Sequence, residues 1–163
     1  MREALIGEMK KVFGSDNKRI SHALAVLSYA DQIQTAEAGD DLVVEAAAIL
    51  HDIGIHEAER KYNSSAGKYQ EIEGPLIARE ILKRYEVSPD AIEHICRIIG
   101  NHHSASDIDT IEFRIIWDAD WLVNLQAEFE DWSSEKKMKT AERTFRTRKG
   151  REIASELFSE KLK

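Results

Sequence analysis

Apolar residues return every three or four positions almost throughout the chain, and this spacing predicts helix after helix. A first helix covers about Arg2 to Phe13 and stops at Gly14-Ser15-Asp16-Asn17. A second starts near Lys18 and ends near Gly39, with Ile20, Ala23, Leu24, Leu27 and Ala30 as one buried stripe. Asp40 or Asp41 caps a third, whose run Leu42 to Leu50 is apolar enough to be central; it is expected to end at Gly54. The polar stretch Ile55 to Lys68, with Asn63-Ser64-Ser65-Ala66-Gly67 inside it, reads as a loop able to cover a site. A fourth helix carries Ile77, Ile81 and Leu82, with Pro75 near its first turn. Ser88-Pro89 opens a fifth, with Ile92, Ile95, Cys96 and Ile99 on its apolar side and Gly100-Asn101 as its stop. Asp109 and Glu112 have the spacing of a capping box for a sixth, which holds Phe113, Ile116, Trp117, Ala119, Asp120, Val123 and Leu125. From Ser133 the chain is basic and helical, with Phe145, Ile153, Leu157 and Phe158 as apolar contacts. Strand alternation is nearly absent, so the expected class is all-α.

Composition narrows this picture. The 163 residues suit one domain with a real core, 1–163, of which about 18–130 bears the motifs below and 131–163 is a helical extension. Only 2 Pro and 8 Gly interrupt the chain, which leaves room for long helices. The net charge of −7 disfavours a general nucleic-acid surface. An anionic substrate then needs a local positive centre, and a bound metal is the obvious one. The single cysteine, Cys96, excludes an internal disulfide and suits a reducing cytoplasm. No apolar run approaches a membrane span, and Met1 to Glu8 lacks a signal-peptide core. The expected partner is a small molecule, with no nucleic acid and no membrane; a homodimer stays open.

Candidate chemistry concentrates at a few polar residues in apolar surroundings. His51-Asp52 ends the most apolar helix, where two buried polar groups cost stability that apolar residues would not. Adjacent helical positions diverge by about 100°, so both reach one metal only if it lies at the helix end, where unpaired carbonyls favour a cation. An imidazole and a carboxylate that merely cap loops are the plainer alternative. His22 lies beside the buried stripe of the second helix; taken alone, it is a hydrogen-bonded, half-buried histidine. Asp118 and Asp120 sit inside Ile115-Ile116-Trp117-Asp118-Ala119-Asp120-Trp121-Leu122. Two carboxylates there are costly unless paired or metal-bound, and two positions apart they point to different faces. His102 and His103 end the fifth helix and are either exposed turn residues or pocket residues.

The order His22, His51-Asp52, Asp120 resembles the HD-domain superfamily of metal-dependent phosphohydrolases. The likeness covers roughly His22 to Leu125 and is strong as a set, weak piece by piece. It implies an all-helical bundle, a divalent transition metal (Mn, Fe, Co, Ni or Zn, with Mg as an alternative) on His22, His51, Asp52 and Asp120, and hydrolysis of a small phosphate ester, often a nucleotide. Asp120 is chosen over Asp118 because the family's last ligand closes an Ala-Asp segment; Asp118 then becomes an acceptor behind a ligand, for instance for a ligand histidine. Asp52 is the candidate for orienting the attacking water, and His102 or His103 for stabilising the transition state or protonating the leaving oxygen. Lys61 and Lys68 are candidates for phosphate, with solvent-facing charge as the plainer reading.

Some positions depart from the family pattern. Ile55 and His56 stand where many members have a lysine. No histidine lies between His56 and His94, where a two-metal member supplies one; Gln70 or Glu73 falls there, and Glu73 (with His102, His103 or Asp118) is the candidate for a second metal or its surroundings. A di-iron oxygenase, which needs two irons, is therefore the second reading. A non-catalytic module that binds a phosphorylated signal is the third.

Overall fold

The structure is a computed structural model and describes residues 1–159. Among those residues there are nine helices and no strand. α1 (Arg2–Phe13) ends on Gly14, whose φ of 58° is left-handed and natural only to glycine. α2 (Asn17–Glu37) is capped by the Asp16 carboxylate, which accepts from the Arg19 amide. α3 (Asp41–Leu50) is capped by Asp40 through the Val43 amide, and nearly every residue from Val43 to Leu50 is buried. A helix apolar all round belongs in the middle of a bundle. α1, α2, α6 (Pro89–Ile99) and α7 (Ile111–Gln126) pack around it.

Expectation and structure part at several boundaries. α3 stops at Leu50 rather than Gly54, and residues 51–54 form a turn. The stretch Ile55 to Lys68 is not one loop. It folds as α4 (Ile55–Tyr62), ended by Asn63 at φ 53°, and gives way at Gly67 to α5 (Gly67–Lys83). Pro75 is therefore deep inside α5, not in its first turn. The polarity of α4 misled because only Ile55 and Ala58 are buried, so a short surface helix looks like a loop. The Asp109–Glu112 capping box does not form. Thr110 caps α7 through the Phe113 amide, Glu112 reaches the Asp40 amide across the bundle, and Asp109 pairs with Arg114 and Arg146.

The C-terminal helices, α8 (Ser134–Thr144) and α9 (Arg148–Phe158), complete the core with Ala141, Phe145, Ile153, Ala154 and Phe158, whereas Leu157 faces solvent. α9 lies on α2 and α7. One buried carboxylate holds it there. Asp118 of α7 accepts from the Arg146 amide (2.8 Å), the Thr147 amide (2.7 Å) and the Thr147 hydroxyl (2.6 Å), and that hydroxyl caps α9 through the Gly150 amide. Burial pushes the Asp118 carboxyl up to about 6, opposed by the Thr147 hydroxyl and the two amides.

One contact fixes the turn after α3. A Cβ on Gly54 would stand 2.5 Å from the Gly74 nitrogen and 2.8 Å from its Cα. Both neighbours are backbone, so neither can yield by changing rotamer. Gly54→Ala is expected to cost about 1–3 kcal/mol, the ordinary penalty of overpacking, and thermal denaturation would show it as a loss of several degrees; an unchanged midpoint would contradict the tight crossing.

Candidate metal centre

Four polar side chains from three parts of the bundle meet at one point. His22 comes from α2, His51 and Asp52 from the turn that ends α3, and Asp120 from α7. The His22 Nε2 atom lies 3.2 Å from His51 Nε2, 3.0 Å from Asp120 Oδ1 and 3.4 Å from Asp52 Oδ2. His51 Nε2 lies 3.3 Å from Asp52 Oδ2 and 3.6 Å from Asp120 Oδ1. Ligand atoms about 2.1 Å from one divalent ion stand roughly 3.0–3.4 Å apart when adjacent, so this spacing suits a shared metal.

Hydrogen bonding supports the same fit. The His51 Nδ1–H group donates to the Ala48 carbonyl at 2.8 Å, one turn back in α3. That bond fixes the neutral tautomer and leaves a bare Nε2 lone pair aimed at two carboxylates and a second imidazole, all acceptors or lone pairs. Buried lone pairs repel unless a cation or proton lies between them. With a proton as the only cation, burial works against charge on His51, Asp52 and Asp120, yet the Asp52 carboxylate holds His51 well above the usual imidazole range. His51 and His102 hold Asp52 well below the carboxylate range against that same burial, and His22 and His51 do so for Asp120. A divalent ion satisfies the same four groups without protonating His51.

Asp52 is held from both edges. Its Oδ2 faces the cluster, and its Oδ1 is 3.1 Å from His102 Nε2. His102 repeats the device of His51, its Nδ1–H donating to the Ile99 carbonyl at the end of α6 at 2.7 Å. Asp52, His102 and His103 form a second group whose ligand atoms lie within 4.8 Å of one another, as do those of His22, His51 and Asp52. Gln70 borders this second group. Its Nε2 donates to the Ser65 carbonyl, so its Oε1 accepts from His103 Nε2–H at 3.1 Å. The His103 ring is exposed on its open side, yet it is hemmed in by protein. That desolvation, and then His102, hold it below the ordinary imidazole range. Gly67 makes room for it, since a Cβ there would be 2.7 Å from His103 Cγ.

Four candidates fall elsewhere. Glu73 is buried between α4 and α5, where its carboxylate takes Lys61 Nζ at 3.1 Å and the Tyr62 hydroxyl at 2.9 Å, so it is a structural ion pair away from the cluster. Lys61 is committed to Glu73 and lies outside the pocket, as does Lys68, whose ammonium sits over the Tyr69 ring. Asp118 touches no histidine; it carries the α9 anchor described above.

A cleft of about 380 Å³ opens over the cluster, within the range of small-molecule sites. His22, Asp52 and Asp120 reach it, and so do Lys18, Arg19, Gln70, Asn124 and Glu128, of which only Gln70 figured among the sequence candidates. A signal for some of them was present: Lys18 and Arg19 precede His22 by four and three residues, and Asn124 follows Asp120 by four, so each shares its helix face with a ligand. Asn124 donates to Asp120 Oδ1 at 3.3 Å and steadies it.

The HD-domain sequence family matches residues 19–125, about two thirds of the chain, and the protein belongs to that family. Among solved structures it is similar to a predicted HD superfamily hydrolase from an uncultured Thermotogales bacterium. That likeness has a TM-score of 0.74 and 22% identity over 98% of this chain and 85% of the other, and it establishes the shared helical fold. No curated protein matches the sequence.

The two aspartates of α7 therefore separate experimentally. Asp120→Asn should remove most of the bound metal. Asp118→Asn should leave the metal content unchanged while costing about 1–3 kcal/mol, because at least one of three buried donors loses its acceptor. Metal analysis and thermal denaturation of both variants check this; metal loss from Asp118→Asn alone would reverse the assignment.

Proposed function

We propose that the protein is a metal-dependent phosphohydrolase that acts on a nucleotide or another small phosphate ester. The observation that carries this reading is the cluster itself: two imidazole nitrogens and two carboxylate oxygens share a point at the floor of a cleft edged by Lys18 and Arg19. His22, His51, Asp52 and Asp120 would hold a divalent transition metal such as Mn, Fe, Co, Ni or Zn, or the harder Mg. When bound, such an ion lowers the pKa of a coordinated water toward neutrality and takes up charge from a phosphoryl oxygen.

The remaining steps belong to the chain. Asp52, pinned between His51 and His102, orients the attacking water with no side-chain freedom to lose. His102 Nε2, left bare by the Nδ1–H bond to Ile99, meets Asp52 Oδ1 at 3.1 Å, and that pair too needs a cation or a proton between its lone pairs. His103 and Gln70 form one wall. Lys18 supplies positive charge to an anionic ester, which the net charge of −7 would otherwise repel, beside an Arg19 that is paired with Glu59 at 3.2 Å. The partner is a small phosphorylated molecule rather than nucleic acid or a membrane; among the described residues no helix is long and apolar enough to cross one. One metal is the reading taken here, since Gln70, a neutral amide, stands where a two-metal member supplies a histidine.

Metal-free protein titrated with Mn²⁺ or Fe²⁺ should give one tight equivalent, with phosphate release from small esters proportional to it. His22→Ala, His51→Ala and Asp120→Ala should each bring both to background. Two tight equivalents would reject the one-metal reading, and substrate-dependent oxygen uptake without phosphate release would reject the hydrolase.

A further inference from the structure

The cleft does not end at the cluster. Lys18 and Arg19 stand one turn before His22, Asn124 one turn beyond Asp120, and Glu128 just past the end of α7. The cleft thus continues roughly 5–10 Å from the cluster, at about 5.4 Å per turn. Its far end mixes cationic, amide and carboxylate groups, and neither Lys18 nor Glu128 forms an ion pair or side-chain hydrogen bond among the described residues. No Phe, Tyr or Trp lines the cleft among the described residues; its aromatic ring, His103, stands at the cluster end beside Asp52 and His102, and its aliphatic contributions are Ile55 and Ala127.

This is a poor seat for a nucleobase, which seeks a flat aromatic or apolar face. It is a good seat for hydroxyl groups. A hydroxyl both donates and accepts, so it can donate to Glu128 or the Asn124 carbonyl oxygen and accept from Lys18. The Asn124 amide nitrogen is already committed to Asp120, which leaves its oxygen for the ligand.

Resting on the phosphohydrolase reading, we infer that the leaving group is a hydroxylated aliphatic chain, so that the substrate is a sugar or polyol monophosphate rather than a nucleotide, with Lys18, Asn124 and Glu128 as the residues that select it. A pentose or hexose phosphate places its phosphoryl group over His22, Asp52 and Asp120 and its hydroxyls between α2 and the end of α7. Asn124 and Glu128 accept from those hydroxyls, and Lys18 donates to them.

The test uses the metal-loaded protein, with phosphate release from glycerol 3-phosphate, pentose 5-phosphates and hexose 6-phosphates compared with that from nucleoside 5′-monophosphates and p-nitrophenyl phosphate. A hydroxylated ester should exceed every nucleotide in kcat/KM by about ten-fold or more. Glu128→Gln and Lys18→Ala should each lower kcat/KM for that ester about ten-fold further than for p-nitrophenyl phosphate, the loss expected of a hydrogen bond to a charged group. Preference for a nucleotide, or equal losses on every ester, would overturn the inference while leaving the hydrolase intact. If no ester is cleaved, the hydrolase reading fails and calorimetric binding of the same compounds decides the other point. Sugar phosphate binding weakened about ten-fold in Glu128→Gln would uphold the selection by hydroxyl groups, and binding of nucleotides alone, or of nothing, would end it.

Discussion

Everything at the centre follows from one small bond, the donation of His51 Nδ1–H to the Ala48 carbonyl. A helix end has carbonyls without partners, and a histidine one turn later can supply a donor to one of them. Satisfying the helix in this way commits the ring: its second nitrogen is left bare and aimed outward. α6 does the same through His102 and the Ile99 carbonyl. Two helix ends therefore present two oriented imidazoles, and Asp52, next in sequence to the first, is trapped between them. The bundle stabilises this polar knot by burying apolar surface around it, and the knot limits which ions and charges that interior accepts.

The cost of concentrating carboxylates in a helical interior is met differently by Asp118 and Asp120. Both are buried on α7, yet they are two positions apart and point to different neighbours. Asp120 faces the imidazoles. Asp118 faces the start of α9 and is satisfied by three donors from Arg146 and Thr147. Because one helix carries both, the extension and the cluster share a rigid support. Trp117, donating to the Thr144 carbonyl, and Arg146, lying over the Trp117 ring, tighten the same junction.

Much of the helical frame was legible from periodicity, because apolar stripes on α2, α3, α6 and α7 are long enough to show their period. What failed was short or local. α4 buries two residues and looked like a loop; Thr110 outcompeted Asp109 as a cap because Asp109 found two arginines. At the site, the positions His22, His51, Asp52 and Asp120 were legible as an ordered set, and the fold brings them together. The roles of Glu73, Lys61 and Asp118 were not, since each is settled by a partner distant in sequence or on a neighbouring helix that spacing does not reveal. Gln70 was legible only as one of two alternatives, and the helix register of α5 decides it: Gln70 lines the cleft while Glu73, three residues on, turns to α4.

The far end of the cleft is built from residues the bundle does not need. Lys18 and Glu128 lie on the surface, outside the apolar core, whereas the cluster is knotted into three helices. Exchanges at the rim thus carry little folding penalty, while exchanges at the floor disturb chemistry and packing together. A scaffold divided in this way can change what its cleft accepts through a few surface substitutions while its core and its cluster stay intact.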